Sequence, residues 1–330
     1  MKLKTLSKWV AAAALVVTSA SSFALEKVVY QLDWLPGGDK APVYVGKAKG
    51  FFKDVGIDVD IAQGRGSTDA ITKMAAGHSD IGSADIVALL AGKANNNVPV
   101  TGVMNLFSQA PYAFFSLEKT NINSVKDLIG KQVASSPFTS SNVFFPYMMK
   151  ANGVEESQVE HIKANPGSLA PMMLNGRTDA ITSWVTDTTT ILNQAEKIGV
   201  KVNIMPWHTV GLNIYSSSIV ASDKFLKERP EVAKKFIKAL KKSIEYTWAN
   251  PDEAGAIVHQ LVPEVDGDVA AGTIKSIKEL VFNPISEKTG LGVFDKDRLA
   301  ETWRLTAIAQ ELPQDKLDPE TAIDRSFLGE

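Results

Sequence analysis

The sequence predicts an α/β protein of two lobes, each a mostly parallel sheet flanked by helices and joined by two crossover strands. Three observations carry that reading. Strand-like apolar runs alternate with helix-like ones in βαβαβ order from the start of the mature chain. A helix stopped by glycine before a strand occurs twice, as "GSTDAITKMAAGHSDIG" (66–82) and "GSLAPMMLNGRTDAIT" (167–182). Without a leader of about 24 residues, roughly 306 of the 330 remain, too many for one typical core and enough for two lobes.

The leader is read from its three parts. "MKLKTLSK" is positively charged, "WVAAAALVV" is apolar, and "TSASSFA" ends in small residues. The apolar part is well below the ~20 residues that span a bilayer. Ser22, Phe23 and Ala24 fit the small-x-small cleavage rule, so residues 1–24 are expected to be a secretory signal peptide and the mature chain to begin at Leu25. The chain has no cysteine, which rules out both a disulfide framework and a lipidated N-terminal cysteine. A free protein of the exported space, the periplasm, is expected. Net charge is −2 with both signs interspersed, so there is no basic field for nucleic acid. With 45% hydrophobic and 22% charged residues the mature chain reads as a soluble globular protein.

In chain order, "KVVYQLDW" is a strand running into the loop "LPGGDK", and "APVYVGKAKGFF" a helix. "IDVDIAQ" is a strand, "GRGS" a loop, and "SDIGSAD" another strand reached through the first copy of the repeat. "IVALLAGKANN" and "VPVTGVMNLF" add a helix and a strand. The continuous apolar run "YAFFSL" (112–117) is expected to be the first crossover to the second lobe. After it, Ser124 and Asp127 have the spacing of a helix N-cap and its N3 partner.

The second lobe repeats the pattern with strands "KQVASS", "VEHIKA", "DAITSW" and "KVNIMP" between helices around "NVFFPYMMKANG", "SLAPMMLNG" and "TTTILNQAEKIG". Pro146 is expected to kink the first of these helices, at a cost near ~3 kcal/mol unless packing absorbs it. "LNIYSSSIVAS" (212–222) is the natural return strand. Lobe one is thus expected over 25–113 and 217–330, and lobe two over 114–216. The chain then reads as helical, with Asn250, Pro251 and Glu253 forming a helix start, and is expected to pack on the first lobe. Lys234, Lys235, Lys241 and Lys242 read as a solvated helix face.

The repeat aligns through Gly66-Ser67 with Gly167-Ser168, and through Gly77, His78, Ser79 and Asp80 with Gly176, Arg177, Thr178 and Asp179. Ala70, Ile71, Met74 and Ala75 supply one buried helical face, and the following glycine takes the left-handed C-cap at little cost. Such junctions are common in α/β proteins, so the residues alone leave open whether the two copies are equivalent units.

Motifs of catalysis are missing. The four histidines, His78, His161, His208 and His259, have no partners at metal-ligand spacing. There is no Gly-x-Ser-x-Gly elbow and no P-loop, and "GRGSTD" has Asp69 where a dinucleotide fingerprint needs its third glycine. Asp33, Asp39, Asp85 and Asp187 fall in loops after strands, where paired carboxylates stay possible. Strand-end loops also carry rings and hydroxyls: Trp34, "GRGS", "SAD", "SSPFTSSN" with Phe138, and "SWVTD" with Trp184.

In this order "LDWLPGGDKAPVYVGKAKGFFKDVGIDVDI", "GRGSTDAITKMAAGHSDIGSAD", "VPVTGVM", "INSVKDLIGKQVASS", "NGRTDAITSW" and "FLKERPEVAKKFIKAL…WANPDEA" resemble the periplasmic solute-binding proteins of ABC importers, in the branch of nitrate, sulfonate, taurine, riboflavin and thiamine-pyrimidine binders. The resemblance implies a type II periplasmic-binding-protein fold whose lobes close on a solute, and makes the two similar stretches equivalent units. It implies ligand contacts from Trp34, Arg65, Gly66, Ser67 and Asp85, facing Ser136, Phe138, Thr139, Trp184 and Asp187, with Asp39, Tyr112 and Trp207 as further candidates. It also implies a monomer that delivers its solute to a membrane permease and its ATPase, or reports it to a membrane receptor, with no metal or cofactor.

Yeast-type pyrimidine synthases resemble the chain over "W-x-P…AP-x-Y…KG-F/Y". Those enzymes consume a lysine-bound pyridoxal phosphate and their own histidine, where this sequence has Ala84 and Ala88, and their cysteine-rich motif cannot exist here. A binding protein, not an enzyme, is therefore expected. The "DW" opening and ring-rich loops suit a pyrimidine-like or aromatic solute, whereas Arg65 suits a sulfonate or carboxylate. Lys40 stands where the pyrimidine binders often carry histidine.

Overall fold

The computed structural model describes residues 24–329, so the expected leader lies outside the described residues except for Ala24. The chain runs β1 (Glu26–Gln31), α1 (Ala41–Ala48), β2 (Ile57–Ala62), α2 (Ser67–Ala75), β3 (Ile81–Asp85), α3 (Ile86–Asn96) and β4 (Val100–Asn105). It continues with β5 (Tyr112–Leu117), β6 (Gln132–Ser135), α4 (Ser141–Ala151), β7 (Glu160–Lys163), α5 (Pro166–Leu174), β8 (Ala180–Trp184), α6 (Thr188–Lys197) and β9 (Val202–Pro206). After β10 (Ser217–Ser222) come α7 (Asp223–Glu228), α8 (Pro230–Ala249), α9 (Pro251–Leu261), α10 (Gly267–Ser276), α11 (Lys278–Val281), α12 (Pro284–Thr289) and α13 (Lys296–Ala309).

Two five-stranded sheets result, in the orders β2-β1-β3-β10-β4 and β7-β6-β8-β5-β9. The same arrangement is built twice: β1 lies parallel to β2 and β3, as β6 does to β7 and β8. Each sheet has one antiparallel strand, and it comes from the far side of the crossover: β10 between β3 and β4, β5 between β8 and β9. The run at 112–117 is therefore a central strand of the second sheet. Its continuous apolar character reflects burial on both faces, since every residue of β5 is buried. The chain passes between sheets in the irregular segments 106–111 and 207–216 instead.

The two repeat copies occupy equivalent places, α2 to β3 and α5 to β8, with Gly77 (φ 76°) and Gly176 (φ 68°) at the left-handed turns. The aspartate that closes each copy makes the same bond in both lobes. Asp80 accepts from Val29 N at 2.9 Å, and Asp179 accepts from Gln132 N at 2.9 Å. Their own N–H groups return the bond, to Val29 O and Gln132 O. Each lobe thus staples its third strand to its first with a carboxylate that satisfies an otherwise unpaired N–H.

Both faces of each sheet are covered. Tyr30, Phe52 and Phe236 stack under α1 and α8 on one side of the first sheet, while Leu89, Val220, Leu299 and Trp303 fill the other. In α8 the buried positions Ala233, Phe236, Ile237, Leu240, Ile244 and Trp248 follow helical spacing, leaving Lys234, Lys235 and Lys242 in solvent, Lys242 over the Phe51 ring. α4 continues through Pro146, with Phe144, Phe145, Met148 and Met149 buried. Ser124 and Asp127 do pair, but start a four-residue 3-10 turn that ends before Gly130. The C-terminal region reaches further than the first lobe: α13 packs on both α3 and α4, and α10 on both α9 and α6. No helix among the described residues is long and apolar enough to cross a membrane.

Candidate functional site

The carboxyl ends of parallel strands face each other across a cleft with about 330 Å³ of empty space, open solvent at its mouth included. Asp33, Trp34, Asp39 and Lys40 enter it from the loop after β1, and Gly66 and Ser67 from the start of α2. Thr139 enters after β6, and Ser183, Trp184, Thr186 and Asp187 at the end of β8 and beyond. Of the residues expected in the site, Trp34, Asp39, Gly66, Ser67, Thr139, Trp184 and Asp187 meet here.

Lys40 is the electrostatic centre of the cleft. Its ammonium lies 2.5 Å from Asp33 and 2.9 Å from Asp39, and its side chain is only 4% exposed. Burial alone would pull its pKa down, but the two carboxylates outweigh that and hold it above the usual lysine range. Asp33 is fixed further by the Ser83 hydroxyl at 2.7 Å. The same ammonium stands 5.7 Å from the centroid of the Trp184 ring. On the opposite wall Asp187 accepts a hydrogen bond from Ser183. Its pKa is pushed up to about 6 by burial, with Ser183 opposing and Asp39 adding to the rise.

The remaining expected residues form two structures around the cleft. At its rim Ser136 donates to Arg65 O at 2.7 Å, Thr68 N donates to Phe138 O at 3.2 Å, and the Arg65 guanidinium lies 4.9 Å from the Phe138 ring centroid. Arg65 pairs with Asp69 at 2.8 Å. The loop before α2 and the loop after β6 therefore touch directly, lobe to lobe. Beneath the cleft, Asp85 caps α3 through Val87 N at 3.0 Å. Its other oxygen accepts from Tyr112, from Ser140 at 2.7 Å and from Ser216 at 2.9 Å. Asp85 and Tyr112 are fully buried. Burial pushes the Asp85 carboxyl upward, against these donors.

Trp207 is buried outside the cleft, its ring 5.4 Å from Tyr112 and 5.0 Å from Phe114. Lys40, Asp33, Ser183 and Thr186 were not among the expected contacts. For Lys40 and Asp33 the available signal was their spacing around the turn after β1: two acids within seven positions of one lysine that precedes a helix.

The model of the family described as NMT1/THI5 like matches residues 38–254, about two thirds of the chain. The chain belongs to the NMT1/THI5-like family. Among relatives of this family member, the riboflavin-binding protein RibY of Chloroflexus aurantiacus is 28% identical over 284 residues, covering 82% of this chain and 77% of that one. The 4-amino-5-hydroxymethyl-2-methylpyrimidine phosphate synthase of Candida albicans is 26% identical over 253 residues, covering 74% of each. The alkanesulfonate-binding protein SsuA of Xanthomonas axonopodis pv. citri superimposes with a TM-score of 0.70 at 13% identity, covering 92% of this chain and 98% of that one. That likeness is one of fold. The NMT1/THI5-like chain thus has the two-lobed periplasmic-binding-protein fold, and relatives of both binding and synthase description.

Proposed function

We propose that this protein is the extracytoplasmic solute-binding component of an ABC import system. After export and cleavage behind Ala24 it works as a monomer, holding a small ring-bearing organic solute between its lobes and delivering it to a membrane permease. The observation that carries this reading is the cleft itself, in which two tryptophans and hydroxyls from both lobes converge at strand ends. A micromolar dissociation constant needs about 8 kcal/mol. Ring stacking at roughly 0.5–1.5 kcal/mol per ring and a few buried hydrogen bonds reach it after ordering costs.

The synthase relatives raise an enzymatic alternative that needs a lysine able to form a Schiff base with pyridoxal phosphate. The residues present do not fit that group. Ala84 and Ala88, where the resemblance to these enzymes places their lysine and histidine, carry no nucleophile or donor. Lys40, which does line the cleft, is held as a cation by Asp33 and Asp39 and so lacks the free lone pair an imine requires.

A thermal-shift screen of residues 25–330 against pyrimidines, flavins, sulfonates, nitrate, amino acids and aromatic acids tests the proposal. A solute at 100 times its dissociation constant stabilises by ~2.7 kcal/mol, a visible rise in melting temperature. A folded chain with no response across the panel counts against solute binding. With the responding solute, Trp184→Ala is expected to lose about tenfold or more in affinity, close to 1.4 kcal/mol; unchanged affinity in titration calorimetry would take Trp184 out of the site.

A further inference from the structure

Acidic groups outnumber basic ones in the cleft. Asp33, Asp39 and Asp187 line it, with Lys40 as their one cation among the lining residues. That ammonium is already shared between Asp33 and Asp39. Arg65, the residue that would suit a sulfonate or carboxylate, pairs with Asp69 and is not part of the lining. Negative charge is therefore in surplus. One oxygen on each acid is also spare: Oδ2 of Asp33, Oδ1 of Asp39 and Oδ1 of Asp187 accept no hydrogen bond from another of the described residues.

A cleft with spare acceptors, surplus negative charge and tryptophan walls is complementary to one kind of guest. We infer that the solute is a planar organic cation, with its N–H edge on Asp39 and Asp187 and its ring against the tryptophans, and that sulfonates and carboxylates are refused. This rests on the solute-binding reading above and specifies the charge of the guest. An aromatic cation is attracted both by the carboxylates and by the indole faces, whereas an anion meets only like charge. A metal ion is not the counterpart, because no group of three or more His, Cys, Asp or Glu among the described residues is placed to hold one.

Asp187 fits the role from the other side. Among the described residues it has no basic side chain within ion-pair distance, and burial raises its affinity for a proton. The groups that face it are Ser183 on its own segment and Asp39, Lys40 and Asp33 across the cleft. α10 packs against α6 and against the turn that carries Asp187, Gly272 lying close to Thr189. Asp268 and Lys275 of α10 are exposed, the latter paired with Asp252. A bound cation supplies the missing partner and favours the ionised form.

The test is titration calorimetry on the mature chain at about pH 7.5, with benzamidine and 4-aminopyridine as cations against benzoate and benzenesulfonate as anions of similar size. The cations are expected to bind at least tenfold more tightly. Asp187→Asn keeps an acceptor for Ser183 and is expected to retain its melting temperature while losing tenfold or more for the cations. In the unmodified chain cation affinity is expected to fall between about pH 7.5 and pH 5 as Asp187 takes up a proton, and Asp187→Asn to show a smaller fall, what remains coming from Asp39, whose carboxyl burial also pushes upward. Anions bound as tightly as cations, or cations not bound at all, would overturn the inference. Solute binding then still stands if the wider thermal-shift panel yields an anionic or neutral guest, and falls only if that panel is empty.

Discussion

Gly66→Ala is expected to weaken solute binding about 100-fold, equivalent to ~2.7 kcal/mol. Gly66 stands where the loop before α2 meets the loop after β6, and a Cβ there would lie 2.1 Å from Phe138 O and 2.7 Å from Thr139 N. Those are backbone atoms, which cannot swing aside as a flexible side chain does. At φ 148° the backbone is also in a region that residues with a Cβ rarely adopt. The alanine variant relieves both strains only by separating the two loops, which breaks the Thr68–Phe138 and Ser136–Arg65 bonds. A closed form made rare lowers apparent affinity in proportion to its population. Gly77→Ala is the control: it too has positive φ, but open space around it, so it should cost some stability and leave affinity alone. Titration calorimetry on both variants reads the difference. Affinity of Gly66→Ala within twofold of the unmodified chain would show that this junction is absent from the solute-bound state.

The second large effect concerns stability. Asp85→Ala removes one carboxylate that serves four donors from four places: Val87 in α3, Tyr112 in β5, Ser140 before α4 and Ser216 before β10. The two serine hydroxyls can rotate toward other acceptors. The Tyr112 hydroxyl and the Val87 N–H cannot, and each stranded buried donor costs ~1–3 kcal/mol. Removing a desolvated carboxylate returns part of this. Burial outweighs the donors at the carboxyl itself, so the sign of the change is set by the donors left stranded. A net loss of about 3 kcal/mol is expected, lowering the apparent melting temperature by roughly 5 °C in calorimetry. Tyr112→Phe, which deletes one donor and leaves three, should lose about a third as much. Asp85→Ala melting within 2 °C of the unmodified chain would mean that the hub stabilises nothing.

How much of this was legible in the sequence depends on the range over which each signal acts. Strands and helices announced themselves through period and glycine punctuation, so "IVALLAGKANN" is α3 residue for residue. The role of "YAFFSL" is not legible, because a strand buried on both faces and a strand leaving a sheet look alike along the chain; only the pairing Tyr112 with Trp184 separates them. In the site, rings and small hydroxyls at strand ends led to Trp34, Ser67, Thr139 and Trp184. Lys40 stands out in the sequence only as a departure from a ligand pattern, since its meaning comes from Asp33, folded back onto it across the turn after β1. The hub at Asp85 joins residues up to 131 positions apart. No local pattern encodes such a contact, and the N-cap geometry that Asp85 also has gives it a sufficient local reason to be there.

The interleaving of the two sheets bears on the order in which the molecule assembles. The second sheet is drawn entirely from residues 112–206, a contiguous stretch. The first needs β10, at 217–222, between β3 and β4, which lie before that stretch begins. As the chain emerges, its N-terminal third must wait with β3 and β4 unpaired on facing edges while the middle third completes its own sheet. The first sheet is therefore completed last, around a strand that arrives from the far side of its neighbour.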